Sequence, residues 1–404
     1  MKLLVFLIAT FIVCNTNASS NPHCELEDYF KHTDSYKSSM MDNEVKQLEM
    51  ERESLSLLPD VSLSLGQQST NRRSFKGMSD SAVSLGLSQS VYNGNRYNRF
   101  KDKIAIEKEY INLMLHEKRN RYLVDLYRAV IDYKYKSDLY KLYDSQLNKQ
   151  IKQLESAKER LASGNIAKIE FDIVHLRNEE LRNEVDTIQN EVLQAEQDIK
   201  TQFNIPVDVI KKITSKKIIS CKGKDTGTSF ILNKSRKLLK QNENANFQLT
   251  MASTQPTVSV SLSVRPPSDG TLNDFSTKKT EFAAAITVDI PLSSYFSVIN
   301  TKKEHAISIK RIENTYDEKY KLYIREKENL ISKIKDLESS IALTNKKIKL
   351  KGKEVDYVLS RFNEKKDTIM SYYRQLDEFE YEKIKLKKIE REHEYYTTYI
   401  AILN

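Results

Sequence analysis

Val83-Ser84-Leu85-Gly86-Leu87-Ser88 decides how this chain is read, because Val83, Leu85 and Leu87 alternate strictly with Ser84, Gly86 and Ser88. Successive side chains of a strand point to opposite faces, so the segment has one apolar face and one small or polar face. That is the pattern of a strand set between lipid and a wet lumen. Three more segments share it. Val61, Leu63 and Leu65 alternate with Ser62, Ser64 and Gly66. Val258, Val260, Leu262 and Val264 alternate with Ser259, Ser261 and Ser263, and Phe282, Ala284, Ile286, Val288 and Ile290 with Ala283, Ala285, Thr287 and Asp289. The loops between partners, Gln67 to Asp80 and Arg265 to Thr280, are polar and rich in Gly, Pro and Ser.

Beyond each strand pair the period changes. From about Asn95 to about Ala162 apolar residues recur in steps of three, four and seven. Ile104, Ile111, Leu115, Tyr122, Leu126, Ala129 and Tyr133 open a series that continues through Tyr140, Leu147, Ile151, Leu154 and Leu161. That spacing is a coiled-coil seam. At ~1.5 Å per residue the helix is on the order of 100 Å long. Ser163-Gly164-Asn165 breaks it, a second helix returns from about Ile166 to Phe203, and Pro206 closes the unit. The plan repeats from about Phe296 to Arg361-Phe362, with a polar break at Asn363 to Asp367 and a return helix to the C-terminus. No proline falls between Pro59 and Pro206 or after Pro291, and those gaps are where uninterrupted helices can lie. Gly352 weakens its helix locally without stopping it. An opening helix spans about Glu25 to Leu57.

Pro59 matches Pro256, Val91 matches Pro291-Leu292, and Arg160 matches Arg361. Each pair is about 200 residues apart, so the chain reads as a duplicated unit. The expected organisation is a leader at 1–18, a first repeat at 19–206, an irregular Lys-rich inter-repeat segment at 207–246 outside the tunnel, and a second repeat at 247–404.

At the N-terminus Lys2 is followed by an apolar stretch, Leu3 to Val13, and by Thr16-Asn17-Ala18. This is a secretory leader, with cleavage expected after Ala18. Acylation at Cys14 is the other reading, against which Val13 is bulky. No later run supplies the ~20 apolar residues of a membrane-spanning helix, and the mean hydropathy is −0.58. If the chain enters a membrane it does so as a β-barrel, since only helices and closed barrels satisfy their backbone in lipid. The 65 Lys and Arg are interspersed with 56 Asp and Glu, the pattern of solvated helix faces rather than of a nucleic-acid surface. Cys24 and Cys221 remain after cleavage. An oxidising compartment permits a disulfide between them, but sequence leaves their distance open.

Four strands are too few for a membrane barrel, whose smallest forms use about eight. Identical chains are the simplest source of the rest. The fold class expected is therefore an α+β membrane protein: a trimer whose protomers each give four strands to a twelve-stranded β-barrel, continued by a long α-helical barrel. Such a pipe conducts from periplasm to exterior. A plain coiled-coil spacer explains the helices but not the strands at two matched positions. A structural or adhesive trimeric envelope protein is the alternative, and it would place its strands at one terminus. A periplasmic adaptor would need a lipoyl-like or β-barrel domain flanking one hairpin. Enzymatic chemistry and cofactors are not expected. The six histidines show no His-x-x-x-His spacing, no Cys-x-x-Cys is present, and the nine glycines do not form a phosphate loop.

Three stretches resemble the TolC-type outer-membrane factors. Leu58-Pro59-Asp60-Val61-Ser62-Leu63-Ser64-Leu65 is similar to that family's first strand. Ser84 to Arg96, with Ile286 to Leu292 as its partner, is similar to the passage from strand to long helix. Arg160 to Glu170 is similar to the helical tip. The resemblance covers nearly all of the mature chain. It implies a homotrimeric channel-tunnel of an efflux pump or type I secretion system, set in outer-membrane lipid with its helices in the periplasm. It would dock on a periplasmic adaptor (membrane fusion) protein and serve an inner-membrane transporter of the RND, ABC or MFS type. On this likeness Gly164, Asn165, Ile166, Ala167 and Glu170 form the adaptor-docking tip. The second tip carries Lys365, with Lys366 beside it, where the family usually has Gly. Asp367, Ser371 and Arg374 fall at the periplasmic constriction. Three copies of Arg374 would form a ring disfavouring cations. Alternatively, Arg374 pairs with Glu170, Asp367 or Asp377 and leaves no net field.

Overall fold

All four alternating segments are strands in the computed structural model, which describes residues 24–67, 81–223, 226–265, 281–364 and 366–404. The expected leader with Cys14, most of both strand-connecting loops, and Lys365 lie outside the described residues. The strands are β1 (Asp60–Gln67), β2 (Ser81–Tyr92), β3 (Thr257–Arg265) and β4 (Glu281–Asp289), in one sheet of order β1-β2-β3-β4. Every pairing is antiparallel, and the register aligns the stripes: Leu63 opposite Leu85, Leu87 opposite Leu262, Val260 opposite Ile286. Residues opposite each other share a face, so the apolar residues make one continuous surface and Ser, Gly, Ala and Thr make the other. The apolar surface is bare, with Leu63 at 65%, Phe282 at 75% and Ile286 at 76% exposure. β1 and β4 are open edges.

The helices are α1 (Glu25–Lys31), α2 (Asp34–Leu55), α3 (Arg96–Ala162), α4 (Lys168–Phe203), α5 (Val207–Lys212), α6 (Ser215–Ser220), α7 (Thr228–Ala252), α8 (Ser294–Asn363) and α9 (Ile369–Leu403). α3 has 67 residues and α8 has 70, while their return helices have 36 and 35. The expected opening helix is split in two. Thr33 takes an extended backbone and its hydroxyl accepts the Tyr36 N–H, so α2 starts at its own cap. Segment 207–246, expected to be irregular, is mostly helical instead. Ile231, Leu238, Ala245 and Ala252 give α7 a buried residue every seven positions, and its lysines and arginine are good helix formers. Gly352 leaves α8 unbroken. A Cβ at that position would stand 3.4 Å from the Phe379 ring of α9.

Packing makes a layer of helices. α3 lies against α2 and α7 near the sheet and against α4 and α9 further away, while α8 lies against α7 and then α9. Where α3 meets α1, α5, α6 and the end of α9, the core holds Leu26, Leu126, Val130, Ile205 and Ile210 at 0% exposure. Cys24 and Cys221 are disulfide-bonded there, with a Cα separation of 5.1 Å, tying α1 to the end of α6. Arg391 of α9 donates to Asp138 of α3 at 2.7 and 2.9 Å and to Glu394 at 2.7 Å, and Glu394 accepts the Tyr127 hydroxyl at 2.7 Å. This network fixes α9 on α3. No helix among the described residues is long and apolar enough to cross a membrane.

Candidate functional site

The two helical turns far from the sheet come together. α3 ends in a Schellman motif: the Asn165 N–H reaches the Arg160 carbonyl at 2.8 Å and the Gly164 N–H reaches Leu161 at 3.0 Å. Gly164 has φ +68°, and nothing stands within 4 Å of a Cβ built there. The residue is therefore required by backbone conformation and not by crowding. α8 closes the same way, with the Lys366 N–H on the Arg361 carbonyl at 2.9 Å. Lys366 is exposed and its ammonium lies 2.9 Å from Glu364. Ala167 caps α4, its N–H donating to the Glu170 carboxylate at 3.2 Å. Asn165 donates to the Ser163 hydroxyl at 2.8 Å. Ile166 is half-buried.

Beneath the turns lies a core of Ala157, Val174, Val355, Ile369, Tyr372 and Tyr373. A cavity of about 120 Å³ opens between the hairpins, lined in part by Ile166, Glu170, Phe362 and Tyr372. The Arg160 guanidinium sits 5.7 Å from the Phe362 ring centroid, so the turns are side by side. Two hydrogen bonds join the hairpins lower down. Gln150 of α3 donates to the Tyr373 hydroxyl at 3.0 Å, and Gln153 donates to Tyr372 at 2.9 Å. Gln150 and Tyr373 are both buried, at 3% and 4% exposure, and burial pushes the Tyr373 phenol above its ordinary pKa. Arg177 of α4 pairs with Asp377 of α9 and lies 5.3 Å from the Tyr373 ring centroid.

At the residues expected to form the constriction, Asp367 accepts from the Ser371 hydroxyl and from the Thr368 N–H at 2.9 Å. These donors, then the Arg361 and Arg374 charges, hold its carboxyl below the ordinary carboxylate value. Arg361 lies 3.7 Å from Asp367. The three acids expected as partners of Arg374 have closer ones: Asp367 has Ser371 and Arg361, Asp377 has Arg177, and Glu170 caps α4, although the Arg374 charge still reaches Asp367 and Glu378. Arg374 itself is exposed and makes no ion pair among the described residues. Gln150, Gln153, Tyr372, Tyr373 and Arg177 were not expected as site residues, and no local spacing announces them.

The whole architecture recurs in solved structures. The outer membrane protein VceC of Vibrio cholerae aligns at a TM-score of 0.70 and 11% identity, over 94% of this chain and 95% of VceC. The MtrE outer membrane channel of Neisseria gonorrhoeae, in its open state, aligns at 0.67 and 12%, over 94% and 88%. The CmeC outer membrane channel of Campylobacter jejuni aligns at 0.66 and 10%, over 94% and 84%. This chain has a TolC-like channel-protomer fold. At the level of sequence no family model matches it, and no curated protein does.

Proposed function

We propose that the protein is a passive outer-membrane channel: a homotrimer that carries cargo from the periplasm to the exterior as the outer component of an efflux pump or type I secretion system. The observation that carries this reading is the bare apolar sheet face, in register across four strands and joined to helices about 100 Å long. Each open sheet edge in lipid would leave backbone groups costing several kcal/mol apiece. β4 of one copy on β1 of the next removes both edges, and a head-to-tail contact repeated three times closes a ring. Twelve strands would enclose a lumen. The likeness to outer-membrane channels supports the reading. The leader at 1–18 would deliver the chain. With α7 standing before β3 as α2 stands before β1, the second repeat would take in α7 ahead of its strands.

In this reading the paired turns form the periplasmic mouth. Gly164, Asn165, Ile166, Ala167 and Glu170, with Lys366 of the second turn and its sequence neighbour Lys365, would meet an adaptor protein, itself linked to an energised inner-membrane transporter. Opening would swing the ends of α9 and α8 nearest the turns away from α3, breaking the Gln150–Tyr373 and Gln153–Tyr372 bonds while the Arg391–Asp138 pair holds. An adaptor favours that state only by contacting it better than the closed one. Asp367, Ser371 and Arg374 would border the mouth, with Arg374 supplying a net positive ring. Single-channel recording in a planar bilayer, with oligomeric mass measured in the same detergent, tests the proposal. Discrete conductance steps from a trimer are expected, whereas a non-inserting coiled-coil oligomer overturns it.

A further inference from the structure

α4 and α8 lie at opposite edges of the helical layer, since α4 packs on α3 and α8 packs on α7 and α9. Their charges are opposite. Over α4 nine acidic side chains stand against four basic ones, and over α8 sixteen basic ones stand against ten acidic. The excess lies on particular faces. α4 packs on α3 and buries Val174, Val185, Ile188, Ala195 and Ile199. On its far side Asp172, Glu179 and Asp186 recur every seven residues with Leu176 among them, all exposed. α8 buries Tyr323, Leu330, Leu337 and Thr344. On its far side Lys346, Lys349, Lys353 and Tyr357 are exposed in steps of three and four. Both faces carry the spacing of a coiled-coil seam, and among the described residues neither has a helix packed against it.

The ion pairs sharpen the contrast. Lys347 and Lys351, which face α9, pair with Glu382 at 3.7 Å and Glu378 at 2.6 Å. Lys346, Lys349 and Lys353 make no ion pair among the described residues, nor do Asp172 and Asp186, and Glu179 meets only His175 at 3.9 Å. Lys346, Lys349 and Lys353, three and four positions apart, repel one another, and the exposed Asp356 and Arg182 beside the two rows offset their charge only in part.

We infer that the lysine face of α8 in one copy docks on the acidic face of α4 in the next, as a polar, head-to-tail helical seam. The inference rests on the trimeric channel reading and adds the faces, the polarity and the register. Cyclic symmetry along the helices sets every turn at one height. α4 climbs from its turn at Gly164 and α8 descends to the turn that Glu364 and Lys366 flank, so residues equally far from the turns are neighbours. Leu176 then stands level with Lys353, Glu179 lies between Lys349 and Lys353, and Asp172 lies level with Tyr357. The sheet edge would supply closure, and this seam the choice of neighbour and its height.

Asn190 and Ser339 are neutral, exposed and level with each other on the two faces, so Asn190→Cys with Ser339→Cys in the full-length protein reports the seam without touching its charges. Covalent oligomers up to a trimer on non-reducing gels are expected. Reversing Asp172, Glu179 and Asp186 to Lys should cut the cross-linked fraction by about tenfold, from three exposed pairs of about 0.2–1 kcal/mol turned repulsive. Adding Lys346→Glu, Lys349→Glu and Lys353→Glu should restore it. A trimer by mass without cross-linking overturns the seam and leaves the channel reading standing. Cross-linking indifferent to the reversal, or not restored by the six-fold swap, overturns the charge pairing. A wild-type monomer overturns the trimeric reading beneath it.

Discussion

Replacing Tyr373 with Phe tests whether the link between hairpins holds the mouth closed. The change removes one hydroxyl and keeps the ring, so the core around Ile369 and the Arg177 contact at 5.3 Å stay filled. What is lost is the partner of the Gln150 amide, a donor on a residue 3% exposed. A buried donor left unpaired costs about 1–3 kcal/mol. If opening carries α9 away from α3, Gln150 regains water and the penalty falls on the closed state alone. The closed-to-open ratio should then fall by a factor of about 5–150. Single-channel recording reads that ratio as open probability. The decisive control is Gln150→Leu with Tyr373→Phe, because replacing both partners by apolar groups of similar shape is close to neutral. The double variant should return toward wild-type closure. Equal open probability in wild type and Tyr373→Phe refutes the reasoning, and so does a double variant as open as the single one.

Other expectations follow from the same geometry. Arg374→Asp should turn the ion preference of the channel from anions toward cations, read as a shifted reversal potential in a salt gradient; an unchanged potential ends the charged-ring idea. Gly164→Val forces a β-branched residue to φ +68° in open space, a cost of about 1–2 kcal/mol paid by the backbone. Pull-down of the adaptor should weaken while the oligomeric mass stays the same. Cys24→Ser with Cys221→Ser opens a loop with ends 197 residues apart, and the denaturation midpoint should fall by the equivalent of about 2–5 kcal/mol. The Asp367 carboxyl is lowered chiefly by Ser371 and the Thr368 N–H. The order it gives the turn is therefore present above the ordinary carboxylate range and lost as pH drops through its depressed value. Amide exchange over 366–371 should stay slow through the ordinary range, and Asp367→Asn should abolish that acid sensitivity.

The parts legible in the sequence are those where one local period decides the structure. Alternation about Leu63, Leu85, Leu262 and Ile286 gave the strands because each needs only its own neighbours to show two faces. Proline-free stretches about Leu126 and Leu337 gave the long helices for the same reason. α7 escaped because its buried stripe is a single residue in seven, Ile231 to Leu238 to Ala245, diluted by lysines and by two small alanines. The site was legible only at its turn, where Gly164 has a backbone reason to be glycine. Gln150 and Tyr373 stand 223 positions apart, and Arg391 and Asp138 253. A hydrogen bond across that distance leaves no mark in either segment. Whether Arg374 is paired depended on where Asp367 and Asp377 direct their oxygens, which only packing decides.

The sheet and the helical layer are left open for different physical reasons, and the difference predicts a division of labour. At the sheet, β1 and β4 each expose a row of backbone donors and acceptors that lipid cannot satisfy, so an unclosed barrel is penalised at every residue of the edge. Along the helices every backbone group is already satisfied internally, and the exposed stripes of α4 and α8 sit in water at little cost. Closure of the barrel is then close to obligatory once the sheet is in a membrane, whereas the helical seam can part and re-form for little free energy. A tunnel whose mouth must open while its membrane end stays shut to lipid needs that asymmetry. The covalent and buried ties of this chain fit it: the disulfide, the Arg391 network and the core around Leu126 lie between the two regions. They would hold the middle of the pipe rigid while the mouth, joined by two tyrosine hydroxyls and a handful of exposed charges, moves.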